Sequence, residues 1–77
     1  MTIKIIYFAS LREKIGHSED LIKTDAPITT AKAWTLATGQ TDLPENVLIA
    51  INHEYVNPES LVKAGDELAF FPPVTGG

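Results

Sequence analysis

One segment, residues 30–39, carries helical spacing, and it lies between strand-like segments on both sides. This arrangement constrains the fold more than any other feature. In a chain of 77 residues a single helix has to cover the sheet that the flanking strands build, because each apolar surface needs a partner. At this size only about 60% of the unfolded chain's surface can be buried. There is room for one core and no second domain.

The helix is bounded by Thr29, which can cap its first free amides, and by Gly39, which can close it in the left-handed conformation. Thr30, Ala33, Trp34 and Ala37 share one face at helical spacing. Three threonines, Thr30, Thr35 and Thr38, weaken its intrinsic propensity, so it has to dock Trp34 on the sheet to persist. Before it, residues 2–8 alternate as a strand, with Ile3, Ile5 and Tyr7 on one face and Lys4, Ile6 and Phe8 on the other. Residues 9–17 read as a turn region and 19–24 as a second strand pairing back as a hairpin. After the helix, the apolar run 47–52 suits a central strand and 55–56 a short partner. Residues 58–61 suit one helical turn, 64–66 a turn and 67–71 the last strand. The order strand, strand, helix, strand, short strand, strand predicts an α+β fold. It is a β-grasp, a mixed sheet with one main helix packed across one face, in residues 1–71, followed by an extended flexible tail, 72–77.

Composition narrows the chemistry. The chain has no cysteine, so a disulfide staple, a thiolate metal site and a thiol nucleophile are excluded. A net charge of −4 opposes phosphate backbones, whose sequence-independent affinity comes from Lys and Arg. Nucleic acid is not an expected partner. Apolar runs are far shorter than the roughly 20 residues that span a bilayer, and the opening residues lack signal-peptide character. The expectation is a soluble, cytoplasmic protein without a membrane partner.

Pro72 and Pro73 cannot donate to a ladder and favour an extended conformation. They end the sheet and direct Val74, Thr75, Gly76 and Gly77 outward, a reach of roughly 20 Å at about 3.3 Å per residue. The Gly76-Gly77 pair reads in two ways: as a disordered end, or as an end that enters a narrow channel where any side chain would clash. On the second reading the carboxylate, once joined to AMP, becomes a mixed anhydride open to attack by an amine or a sulfur donor.

Two other groupings carry less. His17 and His53, with Glu19, Asp20 and Glu54 nearby, raise a metal site, but His53 and Glu54 diverge on a strand or sit in a turn. Both histidines are read as exposed turn residues, and no metal is expected. Asp66 and Glu67 raise acid/base work, but after Gly65 they are read as setting a turn, with an electrostatic contact to a partner as the second reading.

The segment Leu61-Val62-Lys63-Ala64-Gly65-Asp66-Glu67-Leu68-Ala69-Phe70-Phe71-Pro72-Pro73-Val74-Thr75-Gly76-Gly77 resembles the carboxy-terminal signature of the small subunit of molybdopterin synthase. Ala50-Ile51-Asn52 with Tyr55-Val56, and Ile3-Lys4-Ile5-Ile6-Tyr7-Phe8-Ala9 with Leu11-Arg12-Glu13, resemble the same family, so the likeness covers nearly the whole chain. Gly-Gly alone is shared with ubiquitin and the thiazole-synthesis sulfur carrier; Phe-Phe-Pro-Pro-Val-Thr-Gly-Gly is far more specific. The chain departs from the family at Thr30, Ala33 and Ala37, where larger aliphatics are usual.

The resemblance implies a ubiquitin-like fold and a non-catalytic sulfur carrier. An adenylating enzyme related to ubiquitin activators uses ATP and magnesium to activate Gly77, and a sulfur donor protein converts it to a thiocarboxylate. The tail then enters the large synthase subunit and gives sulfur to cyclic pyranopterin monophosphate, building the dithiolene of molybdopterin within a heterotetramer. The chain itself binds no cofactor. Alternatives are a ubiquitin-like modifier joined to lysines through Gly77, a binding module with an inert tail, and a carrier for thiazole or another metabolite. If Ile3, Ile5, Leu68 and Phe70 face the helix, period two sends Ile6, Phe8, Ala69 and Phe71 to a face with nothing left to cover it. Phe8, Ala69 and Phe71, with 72–75, are therefore the expected docking residues for the large subunit and the activating enzyme.

Overall fold

The computed structural model describes residues 2–41, 43–44 and 46–72. In chain order the elements are β1 (Thr2–Tyr7), α1 (Ala9–Ile15), β2 (Glu19–Lys23), β3 (Ile28–Thr29), α2 (Thr30–Thr38), β4 (Leu48–Ile51), β5 (Glu54–Val56), β6 (Leu61–Val62) and β7 (Glu67–Phe71). Five strands form one sheet in the order β2-β1-β7-β4-β5. Its central pair, β1 and β7, is parallel, with Ile5 opposite Leu68, and the remaining pairs are antiparallel.

The expected strand alternation holds. Ile3, Ile5 and Tyr7 of β1 and Leu68 and Phe70 of β7 are buried beneath α2, together with Ile49 and Val62. Each large side chain so buried contributes about 1.5–3 kcal/mol. Trp34 fills the centre, edge-on to Phe70 at 5.0 Å and to Tyr7 at 6.3 Å between ring centroids. Its bulk explains the small residues around it. Ala33 is fully buried and Ala37 packs at the margin, so one indole occupies space that several aliphatics would otherwise fill.

Both expected caps of α2 form. Thr29 Oγ1 accepts a hydrogen bond from the Lys32 amide at 3.1 Å, and Gly39, with φ of 77°, closes the helix. The first two amides of α2 find carbonyls far away in sequence: Thr30 N–H donates to Ser60 O and Ala31 N–H to Pro58 O, at 3.0 and 3.1 Å. The buried Thr30 hydroxyl donates to the carbonyls of Asn57 and Pro58. A larger aliphatic at position 30 would remove these two bonds, leaving Asn57 O to the Ser60 amide alone and Pro58 O to the Ala31 amide alone.

Two expectations are corrected. Residues 9–17 contain the helix α1, not only a turn, so a second, shorter helix accompanies the main one. Leu11 and Ile15, four apart, form the stripe that packs on the core. Gly16, with φ of 96°, ends the helix by donating to Arg12 O. Residues 58–61 do not make a helical turn. Asn57 Oδ1 accepts from the Glu59 amide at 3.0 Å and closes a tight turn, after which β6 pairs with β3 in a separate two-stranded sheet.

Candidate functional site

The face of the sheet opposite α2 carries the apolar side chains that the core does not take. Register builds them into rows. Ile6, Ala69, Ala50 and Tyr55 lie side by side across β1, β7, β4 and β5, and Phe71 lies beside Leu48 in the next row. Phe8 extends that second row, its amide donating to Phe70 O at 3.1 Å. At Ala9, φ is 51°, and the chain bends from strand into α1, leaving the Phe8 ring outside.

Phe8 and Phe71 stack with centroids 4.5 Å apart and planes 7° from parallel, and Tyr55 lies 6.2 Å from Phe71. Phe8 is 40% and Tyr55 73% exposed, an expense in water that a small domain rarely carries without a partner. The opposite end of the face is polar: Lys4 lies beside Glu67 and is ion-paired to Glu19 at 3.4 Å. The chain leaves β7 at its apolar end, through the half-buried Pro72.

Of the expected docking residues, the structure brings Phe8, Phe71 and Pro72 to one end of this face. Ala69 lies on the face as well but is only 8% exposed, and its neighbour Ala50 5%. These two form the floor between larger side chains, so Ala69 offers little area of its own. Leu48 and Tyr55 supply the missing area. Alternation within the run 47–52 and the lone aromatic of the short strand were the signals for them. Pro73, Val74, Thr75, Gly76 and Gly77 lie outside the described residues.

The histidines sit in exposed turns, as read from the sequence. His17 Nε2 lies 2.8 Å from Asp20 Oδ2, which also accepts from the Tyr7 hydroxyl at 2.9 Å. Burial, then the bond to Asp20 and its charge, push the Tyr7 hydroxyl's pKa up, so Tyr7 stays a donor. His53 shares a two-residue hairpin turn with Asn52, both at positive φ. Among the described residues no cluster of three or more His, Cys, Asp or Glu is suited to a metal ion, and no helix is long and apolar enough to cross a membrane.

Asp66 sets its turn, and by more bonds than the spacing implied. Its carboxylate accepts from the Lys63 amide at 3.0 Å, from Asn52 Nδ2 at 3.0 Å and from Lys63 Nζ at 3.3 Å. The Lys63 amide is the main cause of its lowered pKa, which Asn52 and the Lys63 ammonium reinforce against the opposing effect of burial. A carboxylate held below its ordinary 3.8 contributes stability that is present above that pH and lost as pH falls through the folded value. Asp66→Ala should therefore cost about 2 kcal/mol at neutral pH, since buried donors lose their acceptor. Thermal melts of the two proteins should converge on acidification below pH 3.8.

A parallel central pair inside a five-stranded mixed sheet, one long helix across one face, and an open apolar face where the last strand ends define a ubiquitin-like β-grasp protein. The sequence matches the ThiS family over residues 5–77, and the chain belongs to that family. It is 41% identical over 86 aligned positions to the molybdopterin synthase sulfur carrier subunit of Haemophilus influenzae, covering 97% of this chain and 99% of that one. Among solved structures it resembles SAMP1 from Haloferax volcanii, with a TM-score of 0.80, 27% identity and full coverage of both chains. It also resembles a chain in the complex of subunits 1 and 2 of molybdopterin-converting factor from Helicobacter pylori, with a TM-score of 0.64, 23% identity and full coverage of both chains.

Proposed function

We propose that this chain is the sulfur-carrying subunit of a molybdopterin synthase and that Gly77 carries the sulfur. The observation that supports this most is the full-length likeness to the Haemophilus influenzae carrier subunit, in a chain whose sequence ends in Gly76-Gly77. In the proposed cycle the Gly77 carboxylate attacks the α-phosphorus of ATP on a magnesium-dependent adenylating enzyme, and pyrophosphate leaves. The outer sulfur of a persulfide on a sulfur donor protein then displaces AMP to give an acyl disulfide. A thiol cleaves its S–S bond, which joins the two donor-side sulfurs as a disulfide and releases the thiocarboxylate. Its sulfur is anionic and polarizable at neutral pH, so it attacks cyclic pyranopterin monophosphate in the large subunit without a general base from this chain. Water then hydrolyses the acyl C–S bond of the thioester so formed, which leaves the sulfur on the pterin and frees the Gly77 carboxylate, and a second carrier completes the dithiolene.

The open face explains how one chain serves two enzymes in turn. Phe8, Phe71, Leu48 and Tyr55 surround the point where the tail departs, so docking them places the tail at the partner's active centre. Phe71→Arg puts a charge in the middle of that patch and leaves the α2 side of the sheet untouched. It should weaken binding to the large subunit by about 2–4 kcal/mol with the fold preserved. Calorimetry showing unchanged affinity would refute the docking role.

A second reading, a modifier conjugated through Gly77, draws support from the likeness to SAMP1, one structure of which is described as a small archaeal modifier protein. Intact-mass analysis after incubation with ATP, magnesium, the adenylating enzyme and a sulfur source separates the two. Sulfur in place of oxygen at Gly77 supports the carrier, whereas isopeptide-linked adducts support the modifier.

A further inference from the structure

Strand β2 ends the five-stranded sheet on the side away from β5, so one of its edges has no strand beside it. The pairing with β1 determines which groups that edge offers. Tyr7 N–H donates to Ser18 O, and the register continues with Ile5 opposite Asp20 and Ile3 opposite Ile22. In an antiparallel ladder alternate residues exchange both main-chain bonds with the same neighbour, so the main-chain groups of Asp20 and Ile22 go to β1. The amides and carbonyls of Glu19, Leu21 and Lys23 point the other way, and among the described residues they meet no main-chain partner there. Leu21 stands 69% exposed between two exposed charges. Such an edge is a template for another strand.

We propose that this edge pairs with β2 of a second copy of the chain, antiparallel and centred on Leu21. The occupant follows from the strand's own sequence. Glu19-Asp20-Leu21-Ile22-Lys23 is charge-complementary to itself when reversed. Glu19 comes opposite the second copy's Lys23, Lys23 opposite the second copy's Glu19, and the two Leu21 side chains meet between these ion pairs. In this register every outward amide of one copy donates to an outward carbonyl of the other. A slip of two residues parts both ion pairs, and a slip of one sets outward amides against groups already bonded to β1. The contact is isologous, so it closes on two copies. On the helix side Asp20 comes beside the second copy's Ile22, its carboxylate already engaged by the Tyr7 hydroxyl and His17. Both open faces lie on one side of the joined sheet, and the antiparallel contact sets the two Phe8–Phe71 stacks at opposite ends. Each copy keeps its docking patch, so the pairing is independent of the sulfur-carrier reading.

Only strand edges meet, so the interface stays under about 1,200 Å² and the dissociation constant is on the order of 0.1 mM. Sedimentation equilibrium of the full chain across that concentration should show monomer and dimer in exchange. Glu19→Lys and Lys23→Glu each set two like-charged pairs across the edge and should weaken association at least about tenfold. Mixed in equal amounts, the two variants should form a heterodimer, seen by native mass spectrometry, because each supplies the charges that the other lacks. Both residues are exposed, circular dichroism verifies that the variants keep their fold, and a merely structural defect would not be repaired by mixing. A full chain that stays monomeric, single variants that associate as well as the unaltered chain, or a mixture that stays monomeric would each overturn the proposal. So would a dimer that Phe71→Arg dissolves, since that contact would lie on the open face.

Discussion

Deleting Gly77 should abolish sulfur loading and transfer while leaving the melting temperature unchanged. The core closes on residues between Ile3 and Phe70, and every described strand and helix ends by Phe71, so removing residue 77 takes away no described packing contact. The chemical consequence is severe. The new terminal carboxylate, on Gly76, stops about 3.3 Å short of the position reached by Gly77. A misplacement of about 1 Å already costs on the order of 10²-fold where reacting groups must align. Loss of thiocarboxylate formation by intact mass, with an unchanged melting curve, is the expected pair of results. A truncated protein that still carries sulfur would sink the mechanism.

Trp34→Ala should have the opposite profile, with stability lost and the tail chemistry intact. The indole is the largest fully buried side chain besides being the contact of α2 with Tyr7 and Phe70. Its neighbours Ala33 and Ala37 are too small to fill the space it would vacate. Truncating a buried tryptophan costs about 3–5 kcal/mol, against about 0.05–0.15 kcal/mol per residue for a whole domain. Urea unfolding should show most of the stability gone. A loss below about 1 kcal/mol would mean that α2 is held mainly by its caps and by the Thr30 hydroxyl.

Much of this architecture was legible because it is written locally. Alternation at Ile3, Ile5 and Tyr7 announces a strand and its buried face. Thr29 and Gly39 announce the ends of α2. The open apolar face followed from the same parity, since a side chain not pointing at the helix must point away from it. Helix α1 was hidden because a seven-residue segment has only one apolar pair, Leu11 and Ile15, to announce itself. Such a short helix is stable only where the core receives that pair. Strands β3 and β6 were hidden for a related reason. Two-residue strands carry no period, and they exist because the chain around Thr30 and Asn57 is drawn together.

The sequence by itself determined the order of the main strands, the caps of α2, the face left uncovered and the Gly-Gly tail, because each depends on near neighbours in the chain. Only the tertiary structure decided which of the uncovered residues are accessible. Ala69 and Phe71 share a face, but register sets Ala69 beside Ala50 and Ile6, where it sinks below the surface, and sets Phe71 against the exposed Phe8, where it stays half-buried with part of its ring accessible. It likewise decided that Asp66 is held by Asn52, and that the first amides of α2 are answered by the chain at Pro58 and Ser60. Those bonds join residues more than a dozen positions apart, and long-range pairing forms only when the whole sheet closes.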